Sequence, residues 1–363
     1  MPDKHDKFFR RKTWKLREKI IRKAYISEGS IVAFPPCFPS QTAMLPADES
    51  RITAMDITKE GFIYAGTSGR KAHILIGLLH DVMGMVFDTG IILGADSTVA
   101  VCCGKKRYVA FCNGPRGGLI VAKRYGWIPR DLIQEWWIHK RDPEFLIETD
   151  ELVHAVIDKS GEKAVGVSKQ HLITVDLNTG KLKKIAEVSC KGRLVRTNDG
   201  KVRGFSSDGS AWSYNPSKNN FKTDKLKISS DFNGGDGVIW AKDPVKKGVY
   251  AADQEGSLYY LAGKNDLKKL GKTPLKLVSA MAVTFDGRLF GMNGEGISRI
   301  FCYDPSTKNF SDLGVPVSVI ERRRYGYSFG DAVTGREGEI IFGENDDLGH
   351  LWMYFPRIKS LSR

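Results

Sequence analysis

Long hydrophobic runs are missing from this chain of 363 residues. No stretch approaches the roughly 18 uninterrupted apolar residues that a membrane helix requires. The first residues, MPDKHDKFFRRKTWKLREKII, carry charge throughout and contain no apolar run of signal-peptide length. We therefore expect a cytoplasmic protein that has no membrane partner.

Cysteine is scarce and has no regular spacing. The six cysteines are Cys37, Cys102, Cys103, Cys112, Cys190 and Cys302. In a chain of this size they are typical of buried thiols in a cytosolic protein rather than of a disulfide framework. The cluster formed by Cys102, Cys103 and Cys112 raises the alternative of a zinc site, but no histidine lies at zinc-like spacing nearby.

The motifs of several enzyme classes are also lacking. There is no Walker loop, no dinucleotide fingerprint that follows a strand, and no G-x-S-x-G nucleophile elbow. The tryptophan-aspartate ending of WD40 blades and the paired glycine of kelch blades are missing as well. Function must therefore be argued from the arrangement of residues in the fold.

Glycine, in contrast, is abundant, with 38 residues and no low-complexity tract. Alternation of apolar and polar residues with a period of two, broken by Gly, Asn and Asp, is the signature of strands and hairpins. A hydrophobic content of 41% is that of an ordinary folded protein. The composition therefore favours an all-β fold whose glycines serve turns.

One four-strand module recurs about seven times between roughly residue 50 and residue 357. Segments 53–78 and 279–304 show it best, because each reaches a turn glycine, Gly61 or Gly287, six residues after a methionine. The same unit follows the glycines Gly161, Gly200, Gly248 and Gly338. A chain of this length would otherwise suggest two domains, but in a repeat protein each unit packs only on its neighbours.

The module fixes a register at the start of its third strand. The aligned positions are His73, about Gly118, His171, Ser210, Ser257, Arg299 and His350. Their spacing of about 39 to 53 residues is typical of propeller blades. We predict a seven-bladed β-propeller of four-stranded antiparallel blades over residues 29–363, in which the run 29–34 closes the last blade. A β-sandwich would not predict a repeated register.

Two segments stand apart from the repeat. Residues 1–28 form a basic leader that we predict to be a short helix, which packs on the propeller or on a second subunit. Contact with an anionic surface is the alternative, but no RNA- or DNA-binding motif accompanies the leader, so nucleic acid is not an expected partner. The second unit carries a helical insertion, in which the adjacent Trp136 and Trp137 are expected to hold the insertion down.

The register places the third-strand positions and the connections between blades on one face, near the mouth of the channel. His73 and His350 match in spacing, each seven residues after a glycine that ends the second strand. They either cap a strand turn or take part in a site. His171, further round the ring, is interpreted as structural. Arg299 lies at the same register position in blade 6.

Further candidates are basic or aromatic. The segment 321–327 lies between the sixth and seventh blades and contains Arg322, Arg323, Arg324, Tyr325 and Tyr327. Arginine forks pair with carboxylates, and tyrosine rings stack on sugars. The alternative is a solvated loop whose arginines pair with nearby carboxylates.

Two more candidates, His154 and Arg193, occupy inner-strand positions at the channel wall. They either bind substrate or simply line a wet channel.

In its architecture and its His/Arg/Tyr-rich face the chain resembles the bacterial seven-bladed propellers that act on uronic-acid polysaccharides, the oligogalacturonate and ulvan lyases. The resemblance implies β-elimination on an anionic oligosaccharide. In that case His73 and His350 are bases or metal ligands, Arg299 and Arg324 neutralise the carboxylate, and Tyr325 or Tyr327 moves the proton. The remaining candidates would then bind substrate; they are Arg322, Arg323, His154 and Arg193. No cofactor is required. A divalent metal ion held partly by His73 and His350 is an open alternative.

A second hypothesis is a non-enzymatic propeller that serves as a ligand-binding or protein-interaction scaffold. The fold does not choose between the two, since propellers host both classes. The enzyme hypothesis predicts that His73, His350 and the segment 322–327 converge around a pocket. The scaffold hypothesis predicts that these side chains are dispersed and paired to their neighbours.

Overall fold

The structure is a computed structural model that describes residues 26–38, 45–80, 83–124, 143–190, 192–223, 227–228, 232, 237–262, 266–318 and 324–357. The predicted leader helix, apart from residues 26–28, and the insertion with Trp136 and Trp137 lie outside these residues. Within the described ranges no helix is both long enough and apolar enough to cross a membrane. The regular secondary structure of the described residues consists almost entirely of strands.

The predicted seven-bladed β-propeller is confirmed. A closing strand, β1 (Ser30–Phe34), and a short 3-10 helix (Ala47–Glu49) precede the first blade. Blade 1 contains β2 (Arg51–Ile57), β3 (Phe62–Ser68), β4 (His73–His80) and β5 (Met83–Ile91). Blade 2 contains β6 (Ser97–Cys103), β7 (Arg107–Asn113), β8 (Gly118–Lys123) and β9 (Phe145–Glu148). Blade 3 contains β10 (Leu152–Ile157), β11 (Lys163–Ser168), β12 (His171–Asp176) and β13 (Leu182–Glu187).

The remaining blades follow the same order, from the axis outward. Blade 4 contains β14 (Val195–Arg196), β15 (Val202–Phe205), β16 (Ala211–Asn215) and β17 (Asn220–Thr223). Blade 5 contains β19 (Ile239–Lys242), β20 (Val249–Ala252), β21 (Ser257–Leu261) and β22 (Asp266–Lys272), with β18 (Lys227–Ile228) parallel to β22. Blade 6 contains β23 (Ala280–Val283), β24 (Leu289–Asn293), β25 (Arg299–Asp304) and β26 (Asn309–Gly314). A small ribbon, β27 (Val317–Ser318) with β28 (Arg324–Tyr325), leads to blade 7, which contains β29 (Phe329–Thr334), β30 (Ile340–Glu344) and β31 (Leu351–Phe355).

Burial explains why the strands of one blade differ in composition. Every residue of β20, β24 and β30 is buried, because a second strand is covered on both faces by the neighbouring blades. Such strands are continuous apolar runs rather than alternating ones. The outer strand β13, with the sequence LKKIAE, has no fully buried residue and carries charge.

The turn glycines on which the repeat was aligned have the backbone conformation that the alignment implies. Gly61 has a φ of 91° and Gly287 a φ of 81°. This left-handed region is open to glycine and costly for residues with a Cβ. In blade 5 the positive φ of 59° belongs to Lys247, directly before Gly248. The repeat in the sequence is therefore largely a repeat of turn geometry.

The ring is closed by strand β1. It pairs antiparallel with β31, so that Ser30 lies opposite Phe355 and Phe34 opposite Leu351. Blade 7 thereby gains its fourth strand, and its third strand is not left as an open edge.

The segments that flank this closure are joined to blade 6 by one buried arginine. Arg288, whose side chain is 3% exposed, donates from Nε to Asp286 at 2.8 Å. Its other guanidinium nitrogens donate to the carboxylate of Glu28, before β1, and to the carbonyl oxygen of Arg357, after β31. The three bonds fix both sides of the closing strand pair to the same turn.

Polar side chains connect the inner strands, which belong to separate sheets in the described part of the chain. Asp331 of blade 7 accepts from the backbone N–H of Met55 in blade 1 at 2.8 Å. Asp56 of blade 1 accepts from the N–H of Cys103 in blade 2 at 2.7 Å. Since a buried N–H without a partner is costly, these acceptors let unpaired inner strands line a channel.

The described cysteines form no disulfide, and all but the half-buried Cys103 are buried, as expected for thiols in the core. Burial raises the pKa of Cys112 to about 12. Such thiols are protonated at neutral pH and poor metal ligands.

Candidate functional site

A cavity of about 350 Å³ lies on the propeller axis. Its walls come from all seven blades: the inner strands β2, β6, β10, β19, β23 and β29, and residues 193–194 directly before β14. A concave site of this kind, to which every repeat contributes, is the natural candidate site of the molecule.

The wall residues show which half of the channel the cavity occupies. We call the side with the turns between first and second strands the turn face (residues 58–61, 104–106, 158–162, 197–201, 243–248, 284–288 and 335–339). The opposite side is the connection face, which carries the segments between blades (for example 92–96, 188–194 and 273–279). In six blades the wall residues begin inside the inner strand, and in blades 5 and 6 they continue to Pro244 and Phe285 on the turn face. The cavity therefore lies towards the turn face.

Towards the connection face the channel is crossed by Arg193. Its guanidinium reaches from blade 4 to blade 7, where it pairs with Asp331 at 2.9 Å and donates to the carbonyl oxygen of Gly330. The indole Nε1 of Trp240 in blade 5 donates to the carbonyl oxygen of Arg193 at 3.1 Å. We call this arrangement the Arg193 bridge, and it closes the inner end of the cavity.

His154 lies next to the Arg193 bridge. Its Nδ1 accepts from the backbone N–H of Leu194 at 3.1 Å. Burial in the channel wall, assisted by the charge of Arg193, lowers the pKa of His154 to about 3. The imidazole is therefore neutral at physiological pH, and Nδ1 serves as an acceptor. The structure thus brings the two predicted channel-wall residues, His154 and Arg193, together.

Lys242 is a charged wall residue that was not predicted from the sequence. Lys242 is the last residue of β19. Its side chain is exposed and lines the cavity. Desolvation lowers the pKa of Lys242, the positive charge of Arg196 lowers it further, and the attraction of Asp56 offsets only part of this. The one signal in the sequence was a lysine that ends an apolar inner-strand run, VIWAK.

Asp56 faces the same part of the cavity. Its two carboxylate oxygens accept from the N–H groups of Ile57, at 2.9 Å, and Cys103. Burial nevertheless raises the pKa of Asp56. Both oxygens are thus already used in holding blades 1 and 2 together.

His73 does not line this cavity. It begins β4, two strands outward from the axis, and its side chain is 4% exposed. Nδ1 lies 2.9 Å from Asp88 and Nε2 lies 3.1 Å from Glu49, which belongs to the 3-10 helix. Burial opposes protonation, but the hydrogen bonds and charges of Asp88 and Glu49 outweigh it and raise the pKa of His73.

This ion triad makes the stability of the protein pH-dependent. A histidine whose pKa is raised on folding stabilises the fold below its unfolded pKa of 6.5, and the contribution is lost as the pH rises through the folded value. We expect His73→Gln to cost about 2 kcal/mol at pH 6 and to flatten the decline in stability above pH 6.5. Urea unfolding at a series of pH values measures both effects. The half-buried His171, at the same register position in blade 3, provides the matched control His171→Gln; an equal response in both variants would contradict the prediction.

His350 is likewise buried and lies outside the cavity wall. Its backbone N–H donates to Glu344 at 3.2 Å, and its Nδ1 lies 3.1 Å from the same carboxylate. The indole of Trp352 donates to that carboxylate at 3.0 Å. The expectation that third-strand starts lie close to the channel mouth is thus wrong for His73 and His350, because the third strand is separated from the axis by two others.

The remaining predicted residues are dispersed where the structure describes them. Arg299 forms a two-contact ion pair with Asp312 of its own blade, at 2.9 and 3.0 Å. Tyr325 pairs through its backbone with Val317, and Tyr327 is half exposed. Arg322, Arg323 and the side chain of Arg324 lie outside the described residues. The catalytic assignments and the metal site remain predictions.

Solved structures of extracellular domains from B. thetaiotaomicron share the fold. The domain of a hybrid two-component system is 13% identical over 91% of this chain, with a TM-score of 0.59. A second hybrid-system domain is 12% identical over 90% of the chain, also with a TM-score of 0.59. This chain spans only 40% and 41% of the lengths of those two proteins. No protein-family model matches the chain, and no curated protein matches its sequence.

Fold and cavity together define the protein as a seven-bladed β-propeller with an axial site. At such identities the likeness to these extracellular domains shows the fold alone.

Proposed function

We propose that the protein is a ligand-binding propeller that takes a small polar ligand into its axial cavity. The observation that carries the proposal is the cavity of about 350 Å³, bounded by all seven blades and closed at one end by the Arg193 bridge. Its volume falls within the roughly 300–1,000 Å³ of typical small-molecule sites. The wall combines apolar strand residues with a few charged groups, as such sites do.

The solved structures of similar fold support a binding role by analogy. They belong to ectodomains of two-component systems, and a propeller in such a protein is consistent with ligand sensing. Because this chain covers only 40% and 41% of the lengths of those proteins, no activity of theirs is transferred to it. The predicted cytoplasmic location is not tested by this likeness to domains that are extracellular.

The lyase hypothesis has less support from the geometry. A general base must lie within hydrogen-bond reach of the substrate proton. His73 and His350 are both buried, and each already faces a carboxylate within its own blade. An anionic oligosaccharide remains a candidate ligand, and β-elimination would be detected by the ultraviolet absorbance of the unsaturated product.

Filling the cavity tests the proposed site. Ala332, half-buried in β29, lines the cavity. We expect Ala332→Trp to abolish ligand-induced rises in melting temperature across a panel of sugars, uronates, amino acids and dicarboxylates, because the indole occupies the ligand volume. Ala47→Trp, at an exposed position of the 3-10 helix outside the cavity, is the matched control and should respond like the wild type. Equal responses in the two variants would place the site elsewhere.

A further inference from the structure

The charged residues of the cavity wall differ in whether they have an ion-pair or hydrogen-bond partner. Arg193 and Asp331 neutralise one another in the Arg193 bridge, and Asp56 accepts two backbone hydrogen bonds. Among the ion pairs that described residues form, none includes Lys242. Its ammonium group is therefore a cation that lines the cavity and forms no ion pair with a described residue, so it is available to an anionic ligand.

The surrounding field makes an anion the appropriate complement. Arg196, at the end of β14 in the next blade, perturbs Lys242 more strongly than Asp56 does. Arg196 is held by a hydrogen bond to the carbonyl oxygen of Asp158 at 3.2 Å, so that its charge is fixed on this side of the channel. Arg196 is thus the strongest single charge that acts on the Lys242 ammonium, and its positive sign favours an anionic partner there.

Much of the remaining cavity wall is apolar. The apolar wall residues include Val101, Ile157, Ala241, Met281, Val283 and Val333. Such walls suit the carbon skeleton of a ligand better than a bare hydrated ion, since apolar surface gains free energy only against apolar surface. A ligand that combines an acidic group with a carbon body matches both features.

The turn face would favour the approach of such a ligand. Its turns carry exposed basic side chains in several blades, among them Lys59, Lys159, Lys246 and Arg336. The carboxylates of Asp158 and Asp243 in the same turns are buried and accept from turn N–H groups. Basic side chains around a mouth raise the association rate of anions.

We propose that Lys242 binds the acidic group of a small organic acid that reaches the cavity from the turn face. The inference rests on the proposed function and adds the ligand class and the residue that recognises it. The Arg193 bridge closes the far end, so the ligand body lies between Lys242 and His154.

Calorimetric titration of the full chain at pH 7 with matched acid and neutral probes tests the inference. The pairs are glucuronate and glucose, succinate and succinamide, and benzoate and benzamide. We expect the wild type to bind at least one acid tenfold or more tightly than its neutral partner. Lys242→Met should abolish that preference, because it keeps a chain of similar length without the charge, and Lys242→Arg should retain most of it. Lys268→Met, at an exposed position on the outer strand β22 of the same blade, is the matched control and should keep the preference.

The outcomes separate this inference from the proposed function. A preference that survives in Lys242→Met, or no preference for any acid in the wild type, overturns the inference. If neutral compounds still bind and Ala332→Trp abolishes their binding, the proposed function stands alone. Inorganic phosphate that binds as tightly as the best acid would show a bare anion site and would also overturn the organic-acid inference. Melting temperatures of all variants show whether each is folded.

Discussion

Arg288→Met should destabilise the protein by about 3 kcal/mol, because it removes one member of a buried ionic network and leaves the others uncompensated. The variant retains much of the aliphatic volume of the arginine and its packing on Phe290, over whose ring the guanidinium carbon lies at 5.0 Å. What it loses are the bonds to Asp286, Glu28 and the carbonyl oxygen of Arg357. Chemical denaturation monitored by tryptophan fluorescence measures the loss.

The matched control for this variant is Arg336→Met. Arg336 lies in the corresponding turn of blade 7 but is exposed, and we expect a change within about 0.5 kcal/mol. Amide hydrogen exchange in β1 should also be faster in Arg288→Met, because the bond from Arg288 to Glu28 holds the segment before that strand. Equal stability of the two variants would show that the buried network contributes nothing.

His154→Asn should make the protein more resistant to acid. A histidine whose pKa falls from 6.5 to about 3 on folding contributes stability that is fully present above pH 6.5 and lost as the pH falls towards about 3, because the unfolded chain takes up the proton. The slope is up to about 1.4 kcal/mol per pH unit for one proton, and less here because the channel admits water. The asparagine carries an oxygen on Cγ where histidine carries Nδ1, so it can still accept from Leu194.

Comparison with His154→Phe separates titration from hydrogen bonding. The phenylalanine also removes the proton site, but it leaves the N–H of Leu194 without its acceptor, which costs about 1–3 kcal/mol at every pH. Unfolding midpoints between pH 3 and 7 should show a flatter acid limb in both variants and a uniform loss only in His154→Phe. An acid limb in His154→Asn as steep as that of the wild type would refute the assignment.

The propeller was predictable because its repeat reflects backbone geometry. The turn glycines Gly61 and Gly287 have positive φ, and an alignment on them places the strands correctly. The predicted third-strand starts at His73, His171 and Arg299 are the first residues of β4, β12 and β25. Local turn chemistry and period-two alternation are both readable in a single sequence.

The candidate site was only half predictable. His154 and Arg193 were found from their inner-strand register, but the partners of His73 were not. Glu49 and Asp88 reach His73 from 24 and 15 residues away, through a 3-10 helix and a fourth strand whose side-chain directions no local pattern reveals. Register states the blade and strand of a residue. It does not say which side chains meet there.

The surroundings of Lys242 were likewise not readable from the sequence. In the sequence it is one lysine among many, at the end of a short apolar run. Its importance arises only because Arg196 of the adjacent blade and Asp56 across the channel surround it. Those neighbours come together through ring closure, which depends on all seven blades.

The pairing of β1 with β31 also determines where the chain enters and leaves the propeller. Ser30 and Phe355 lie opposite each other at the turn face, and Arg288 binds the segments beyond both. The chain therefore crosses the boundary of the propeller twice at neighbouring points, on the face towards which the cavity lies. Because β31 and β1 are the third and fourth strands of blade 7, both crossings lie at the outer rim of the turn face, away from the axis.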